Sequence, residues 1–147
     1  ELGNALMRFS AKIFRMCMSL NIPVVLENPH TSRLWLAPPI RHLLHHSQTE
    51  YFATDFCQDG TPWRKRTGLL SFGLDLRYAV RRCAAAPGIC SRTGLRHQHL
   101  EGIVNGQFRT LAAQPYPLGL CRRLATAFHH SCMRRCSAKI WEIIQGP

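Results

Sequence analysis

The sequence IPVVLENP, residues 22–29, decides the fold, because a buried strand comes to its end within it. Val and Ile favour extended strands, and the Asn-Pro pair ends the strand because a residue before proline is held out of the helical region. Glu27 therefore lies where the strand emerges at its C-terminal end, the edge at which open α/β sheets bind ligands. Taken alone, this acid is either a solvated strand end or a placed acid–base group.

The composition predicts one globular domain with a polyanionic partner. The chain of 147 residues leaves room for a single core, and 46% of the residues are hydrophobic. The net charge is +11, and nearly all of the 19 cationic residues are arginine, which suits bidentate contacts with phosphate. Solubility accounts for part of such a surplus. We nevertheless expect a nucleic-acid partner, DNA rather than RNA.

The sequence carries no sign of secretion or membrane insertion. Its apolar runs fall short of the roughly 20 residues that span a bilayer, and no signal-peptide pattern opens it. The seven cysteines are scattered without the spacing of a small disulfide-linked domain. We expect an intracellular protein. For a chain that binds DNA, this expectation includes the nucleus. The sequence opens on the approach to a helix, which suggests a piece of a longer protein.

Periodicity predicts the order helix, strand, helix, strand, strand, irregular insertion, helix. Asn4 is a plausible N-cap of the first helix, and Asn21 a plausible stop. The order indicates half of a doubly wound α/β sheet ended by a β-hairpin, with too few layers to cover both sheet faces well. The predicted elements are helix 5–20, strand 22–26, helix 38–46, strands 51–56 and 68–72, and helix 117–129.

Three polar segments follow these elements closely, and in this order they resemble the C-terminal half of the cytosine-5 DNA methyltransferases. They are Val25-Leu26-Glu27-Asn28, the loop GTPWRKR at residues 60–66, and Gln114-Pro115-Tyr116-Pro117 before the last helix. The resemblance covers roughly residues 3–130 and implies an α/β fold, a partial Rossmann-like methyltransferase sheet.

The resemblance also implies a division of the chain. Residues 1–72 correspond to the C-terminal half of the methyltransferase-like core, and 73–110 form an irregular basic insertion in the place of a recognition region. Residues 111–130 are the closing helix of the core, and 131–147 a basic and apolar tail, expected to be a short docking helix or a poorly ordered end.

The resemblance assigns a role to each segment. Glu27 would hydrogen-bond a flipped target base and protonate its ring nitrogen while a thiolate attacks the neighbouring carbon. Asn28 would position the loop, and Arg64 and Arg66 would hold the flipped base or nearby phosphates. Trp63 fits a structural role at the hairpin corner better than packing against a base. The implied cofactor is S-adenosyl-L-methionine.

Essential parts of such an enzyme are missing from this sequence. No glycine-rich loop follows a first strand to hold S-adenosylmethionine, so the cofactor-binding residues are unknown. None of the cysteines follows a proline, as the family's nucleophile does. We therefore expect a fragment that is inactive alone. The alternative is a non-enzymatic remnant that binds nucleic acid through its arginines.

The histidines and cysteines predict no metal site. Paired zinc ligands usually lie two to five residues apart, and the insertion offers only the wider spacing of Cys83, Cys90, His97 and His99. A small metal-stabilised interaction module is the weaker third interpretation. Three histidines of the second helix are predicted to be exposed surface: His42, His45 and His46.

Overall fold

The computed structural model describes residues 2–84 and 87–145, with side chains described as far as residue 135. The chain forms a mixed α/β fold around a small antiparallel sheet. Single 3₁₀ turns follow β1, β2 and β5, at Arg33–Leu36, Phe56–Asp59 and Arg109–Ala113. The elements are α1 (Leu2–Ser19), β1 (Val24–Pro29), α2 (Pro38–Leu44), β2 (Thr49–Asp55), β3 (Arg66–Phe72), β4 (Ile103–Val104), β5 (Gln107–Phe108) and α3 (Leu118–Gln145).

The main sheet has the strand order β1-β3-β2, with β3 antiparallel to both neighbours. The predicted hairpin of β2 and β3 is confirmed, and its register places Asp55 opposite Arg66. In β1, Glu27 lies opposite Leu69. Because β1 and β2 run in the same direction, the end of β1 that carries Glu27 and the hairpin loop lie at the same end of the sheet.

One face of the sheet packs on α1 and α2. Phe14 of α1 and Ile40 of α2 are buried against Leu70 of β3, with Trp35 completing the cluster. The Trp35 indole nitrogen donates to the carbonyl of Pro29 over 2.8 Å. This bond fixes the chain as it leaves β1, immediately after Glu27 and Asn28.

The opposite face packs on α3 and on the segment that follows β3. Phe52 and Leu69 are buried there together with Leu76, and Leu124 of α3 packs against them. The expectation that the sheet has too few layers is therefore wrong. The sequence pattern missed the third layer because residues 74–80 look irregular, yet they supply buried apolar side chains.

The ends of the helices differ in part from the predictions. Helix α1 begins at Leu2, so Asn4 lies inside the helix and does not cap it. Asn21 has the left-handed φ of 55° expected of a helix stop, and its N–H donates to the carbonyl of Met18. The backbone of α3 continues to Gln145 in one helix, so the tail from residue 131 begins within α3 and not after it. The predicted docking side chains of that tail (Ile140, Trp141, Ile143 and Ile144) lie outside the described side chains.

Several apolar side chains of α1 face solvent instead of the sheet. Among the described residues, β1 pairs only with β3, so its outer edge carries no strand. None of the described helices is long and apolar enough to cross a membrane. The exposed apolar residues of α1 and of the turn after it are Leu2, Leu6, Phe9, Met16, Leu20 and Ile22.

Candidate functional site

The three segments singled out in the sequence meet at one end of the sheet. Glu27 lies near the end of β1, close to the hydroxyl group of Tyr116 in the turn before α3, and its carboxylate adds to the burial that raises the pKa of that phenol. Lys65, from the hairpin loop, donates from Nζ to the carbonyl of Ala113 over 3.0 Å. The same ammonium group lies 5.7 Å from the centre of the Tyr116 ring and 4.9 Å from that of Phe56. We call Glu27, Lys65 and Tyr116 the strand-end site.

Glu27 is half-buried on the sheet face that packs on α3. Successive strand residues point to opposite faces, and Val25, two residues earlier, packs into the core on the α3 side. Burial raises the pKa of Tyr116, and the nearby Glu27 carboxylate raises it further, so the phenol stays protonated as a donor. A carboxylate accepts at two oxygens, so one phenol leaves it able to bind another donor.

Asn28 points to the other face of the sheet, towards the cluster around Trp35, because it follows Glu27 in the strand. It lies opposite Gly68 of β3, whose missing Cβ leaves room for the side chains of Tyr51 and Trp35. Asn28 therefore belongs to the packing behind the site, and the loop after it is held by the Trp35–Pro29 hydrogen bond.

Arg66 lies at the same end of the sheet but is bound to a buried acid. Its Nε and Nη2 donate to the two carboxylate oxygens of Asp55 over 2.8 and 2.9 Å. The backbone N–H of Cys83 donates to Asp55 as well, over 2.8 Å. Burial alone would raise the pKa of Asp55, but the bonds from Arg66 and Cys83 outweigh it and hold the pKa below its ordinary value. Arg66 is thus the hydrogen-bonded counter-ion of Asp55, and Nε of Arg82 lies 3.7 Å from the same carboxylate.

Arg64 is exposed and borders an open cleft of about 530 Å³. Arg96 and His99 line the same cleft, so its wall is basic. Trp63 is half-buried beside a second cleft under the β4–β5 hairpin, and its buried indole N–H finds no partner among the described residues. The structural role expected of Trp63 at the hairpin corner stays a prediction.

A second constellation lies beside Asp55. Four side chains, Cys57, Cys83, Cys90 and His97, bring one potential ligand atom each to within 4.8 Å of one another. Burial raises the pKa of the Cys57 thiol to about 12. Burial also acts to raise the pKa of Cys90, but hydrogen bonds from the backbone N–H groups that follow it outweigh burial and lower its pKa to about 6. We call these four residues the thiol–imidazole cluster.

The sequence reasoning anticipated part of both constellations. It identified the three segments and the insertion's Cys83, Cys90 and His97, but missed Tyr116, Lys65 and Cys57 as members. His99 is not in the cluster; it lies between the two clefts, with its carbonyl accepting from Arg109. The pairing of Asp55 with Arg66 was readable from the hairpin register, since the two residues face each other across the strands.

No protein-family model matches this chain, and comparison with curated proteins and with solved structures gives no significant match.

Proposed function

We propose that this chain is the target-base part of a cytosine-5 DNA methyltransferase-like protein, built on a partial Rossmann-like sheet. It would present Glu27 to a flipped cytosine and bind DNA through its arginines. The S-adenosylmethionine site and the attacking thiolate would come from other sequence, so this part is inactive alone.

The observation that carries the proposal is the meeting of the three segments in the strand-end site. They are far apart in sequence, yet Glu27 contacts Tyr116, and Lys65 contacts the turn that holds Tyr116. A solvated strand-end acid would need no such partners. The arrangement instead places the carboxylate beside an aromatic hydroxyl, with the ammonium group of Lys65 near the ring of the same tyrosine, so that the acid is positioned as a base-facing acid requires.

The chemistry of cytosine suits this acid. A protonated carboxyl donates to the ring nitrogen of cytosine, and its other oxygen accepts from the exocyclic amino group. Thymine reverses both positions, because its ring nitrogen carries a proton and its exocyclic atom is an oxygen acceptor. Glu27 would therefore favour cytosine over thymine when its carboxyl is held with the donor towards the ring nitrogen of a base that is out of the stack.

The surroundings of the strand-end site support a nucleic-acid partner. Arg64 and Arg96 line the adjacent open cleft, where exposed guanidinium groups can reach phosphates. We assign phosphate contact to Arg64 rather than Arg66, because the guanidinium of Arg66 is bound to Asp55. Within the part of the chain that the structure describes, no strand pairs with the outer edge of β1, and this edge and the exposed apolar side chains of α1 leave a surface for the rest of a sheet.

Binding to duplexes that contain one unpaired base tests the proposal without any methyl transfer. A cytosine or a thymine is placed opposite an abasic site, which removes most of the cost of flipping. We expect the chain to bind the cytosine duplex about tenfold more tightly, the factor that corresponds to roughly 1.4 kcal/mol. Fluorescence anisotropy at fixed salt gives the two dissociation constants.

The control variant is Arg64→Ala. It should weaken binding to both duplexes equally and reduce the salt dependence by about one phosphate contact. Equal affinity of the unmodified chain for cytosine and thymine would overturn the proposal and favour the non-enzymatic nucleic-acid-binding remnant.

A further inference from the structure

The thiol–imidazole cluster has the composition of a structural zinc site. Three cysteine sulfurs and one histidine nitrogen form one of the common tetrahedral ligand sets for Zn²⁺. The three cysteines are buried, with 0%, 6% and 4% of Cys57, Cys83 and Cys90 exposed, and they form a buried cluster of their own. Cysteines buried only as small apolar side chains have no need to gather around an imidazole.

The distances fit a tetrahedral ion. With Zn–S near 2.3 Å and Zn–N near 2.0–2.1 Å, tetrahedral geometry requires ligand atoms about 3.6–3.8 Å apart. The Sγ of Cys83 lies 3.7 Å from Nε2 of His97, and all four ligand atoms lie within 4.8 Å of one another. All four ligands come from side chains, so no coordination position is left for a substrate. This is the arrangement of structural sites rather than catalytic ones.

The surroundings of the sulfurs fit metal-bound thiolates. The side-chain nitrogen of Gln58 lies 3.6 Å from Sγ of Cys57 and 3.9 Å from Sγ of Cys90. The backbone N–H of Ser91 donates to Sγ of Cys83 over 3.3 Å. Such donors share the negative charge of thiolates and orient them, as they do around known metal sites.

The positions of the ligands show what the metal would hold together. Cys57 lies in the 3₁₀ turn after β2, whereas Cys83, Cys90 and His97 lie in the irregular segment after β3. The described residues of that segment form an isolated bridge between Ile89 and Arg96. A metal bound by all four residues would fasten the arginine-bearing segment to the end of the sheet.

We infer that Cys57, Cys83, Cys90 and His97 bind one structural Zn²⁺ ion, which fixes the basic segment of residues 83–97 against the end of the β2–β3 hairpin. The soft thiolates and the imidazole select zinc over the hard cations magnesium and calcium. The inference is independent of the proposed function, since such a zinc would hold this segment in an enzyme or in a binding protein.

Metal analysis of the chain, purified under reducing conditions from zinc-supplemented cells, tests the inference. We expect about one zinc per chain by plasma mass spectrometry. Cys57→Ser and Cys83→Ser should abolish stoichiometric zinc, whereas Cys121→Ser, an exposed cysteine of α3, and His99→Asn should retain it. A chain without zinc, or zinc that survives Cys83→Ser, would overturn the inference.

Cobalt substitution keeps the test decisive if a serine variant fails to fold. Co²⁺ added to the metal-free chain should give intense visible bands and a thiolate charge-transfer band, as tetrahedral thiolate sites do. His97→Cys keeps four ligands and should shift the cobalt bands, whereas His99→Cys should leave them unchanged. The weak bands of octahedral Co²⁺, or identical spectra for the two histidine variants, would contradict the site.

Discussion

The ion pair of Asp55 with Arg66 tests how deeply this end of the sheet is buried, next to the strand-end site and the thiol–imidazole cluster. Asp55 is fully buried, and its carboxylate accepts from two nitrogens of Arg66 and from the N–H of Cys83. Removing one partner of a buried pair costs about 3–5 kcal/mol. The Arg66 side chain is 26% exposed and reaches water, so we expect Asp55→Ala to lower the free energy of unfolding by about 2–4 kcal/mol.

A double-mutant cycle separates the interaction energy between Asp55 and Arg66 from the other effects of removing each side chain. Asp55→Ala, Arg66→Ala and the double variant are compared by urea unfolding, followed by tryptophan fluorescence at one fixed zinc concentration. We expect a coupling energy of about 1.5–3 kcal/mol, in the range of charge-assisted hydrogen bonds. The exposed pair of Asp75 with Arg77 is the matched control and should give less than about 1 kcal/mol.

The result that refutes this reasoning is equal coupling in the two cycles. Equal values would mean that Asp55 is as well solvated as Asp75, so Arg66 would be available to contact DNA. Arg66 would then return to the set of base- or phosphate-contacting residues that the resemblance implies.

Two further predictions concern the sheet and the strand-end site. Gly68→Ala should lower the free energy of unfolding by about 1–3 kcal/mol in urea unfolding, because a Cβ at this position would lie 2.1 Å from the hydroxyl of Tyr51. The control is Gly3→Ala, which lies in open space on α1 and should not destabilise the protein. An unchanged stability of Gly68→Ala would contradict the described packing. The phenol of Tyr116 has its pKa raised above the ordinary value of about 10, so its contribution to stability is complete below that pH and is lost as pH rises through the raised pKa. The pKa is measured from tyrosinate absorbance, and the transition lost in Tyr116→Phe is assigned to Tyr116. This pKa should fall in Glu27→Gln. An unchanged pKa in that variant would contradict the contact between Glu27 and Tyr116.

Local sequence rules predicted the elements well, because each rests on neighbouring residues. The existence of β1 and the hairpin of β2 and β3 follow from strand propensity and turn chemistry, although β1 runs from Val24 to Pro29 and so ends three residues beyond the predicted strand 22–26. Local rules could not predict that β3 lies between β1 and β2, since the pairing of strands distant in sequence depends on the whole core. The same holds for the covered α3 face, whose apolar residues 74–80 show no helix or strand period.

In both the strand-end site and the thiol–imidazole cluster, the residues close together in sequence were predicted and those from distant segments were missed. Glu27 stood out because its strand and loop are contiguous, but its partner Tyr116 comes from a distant turn. Spacing rules for zinc rely on ligands close in sequence, so Cys57 was missed and His99 was considered in its place. The hairpin places Cys57 beside Cys83, which no local pattern contains.

The central claim is that Glu27 recognises an unpaired cytosine. The most direct measurement is the ratio of dissociation constants for unpaired cytosine and unpaired thymine in two variants of Glu27. Glu27→Gln keeps one donor and one acceptor in place and should preserve the preference, whereas Glu27→Ala should reduce the ratio to one. A preference that survives Glu27→Ala would contradict the claim and place the base elsewhere on the molecule.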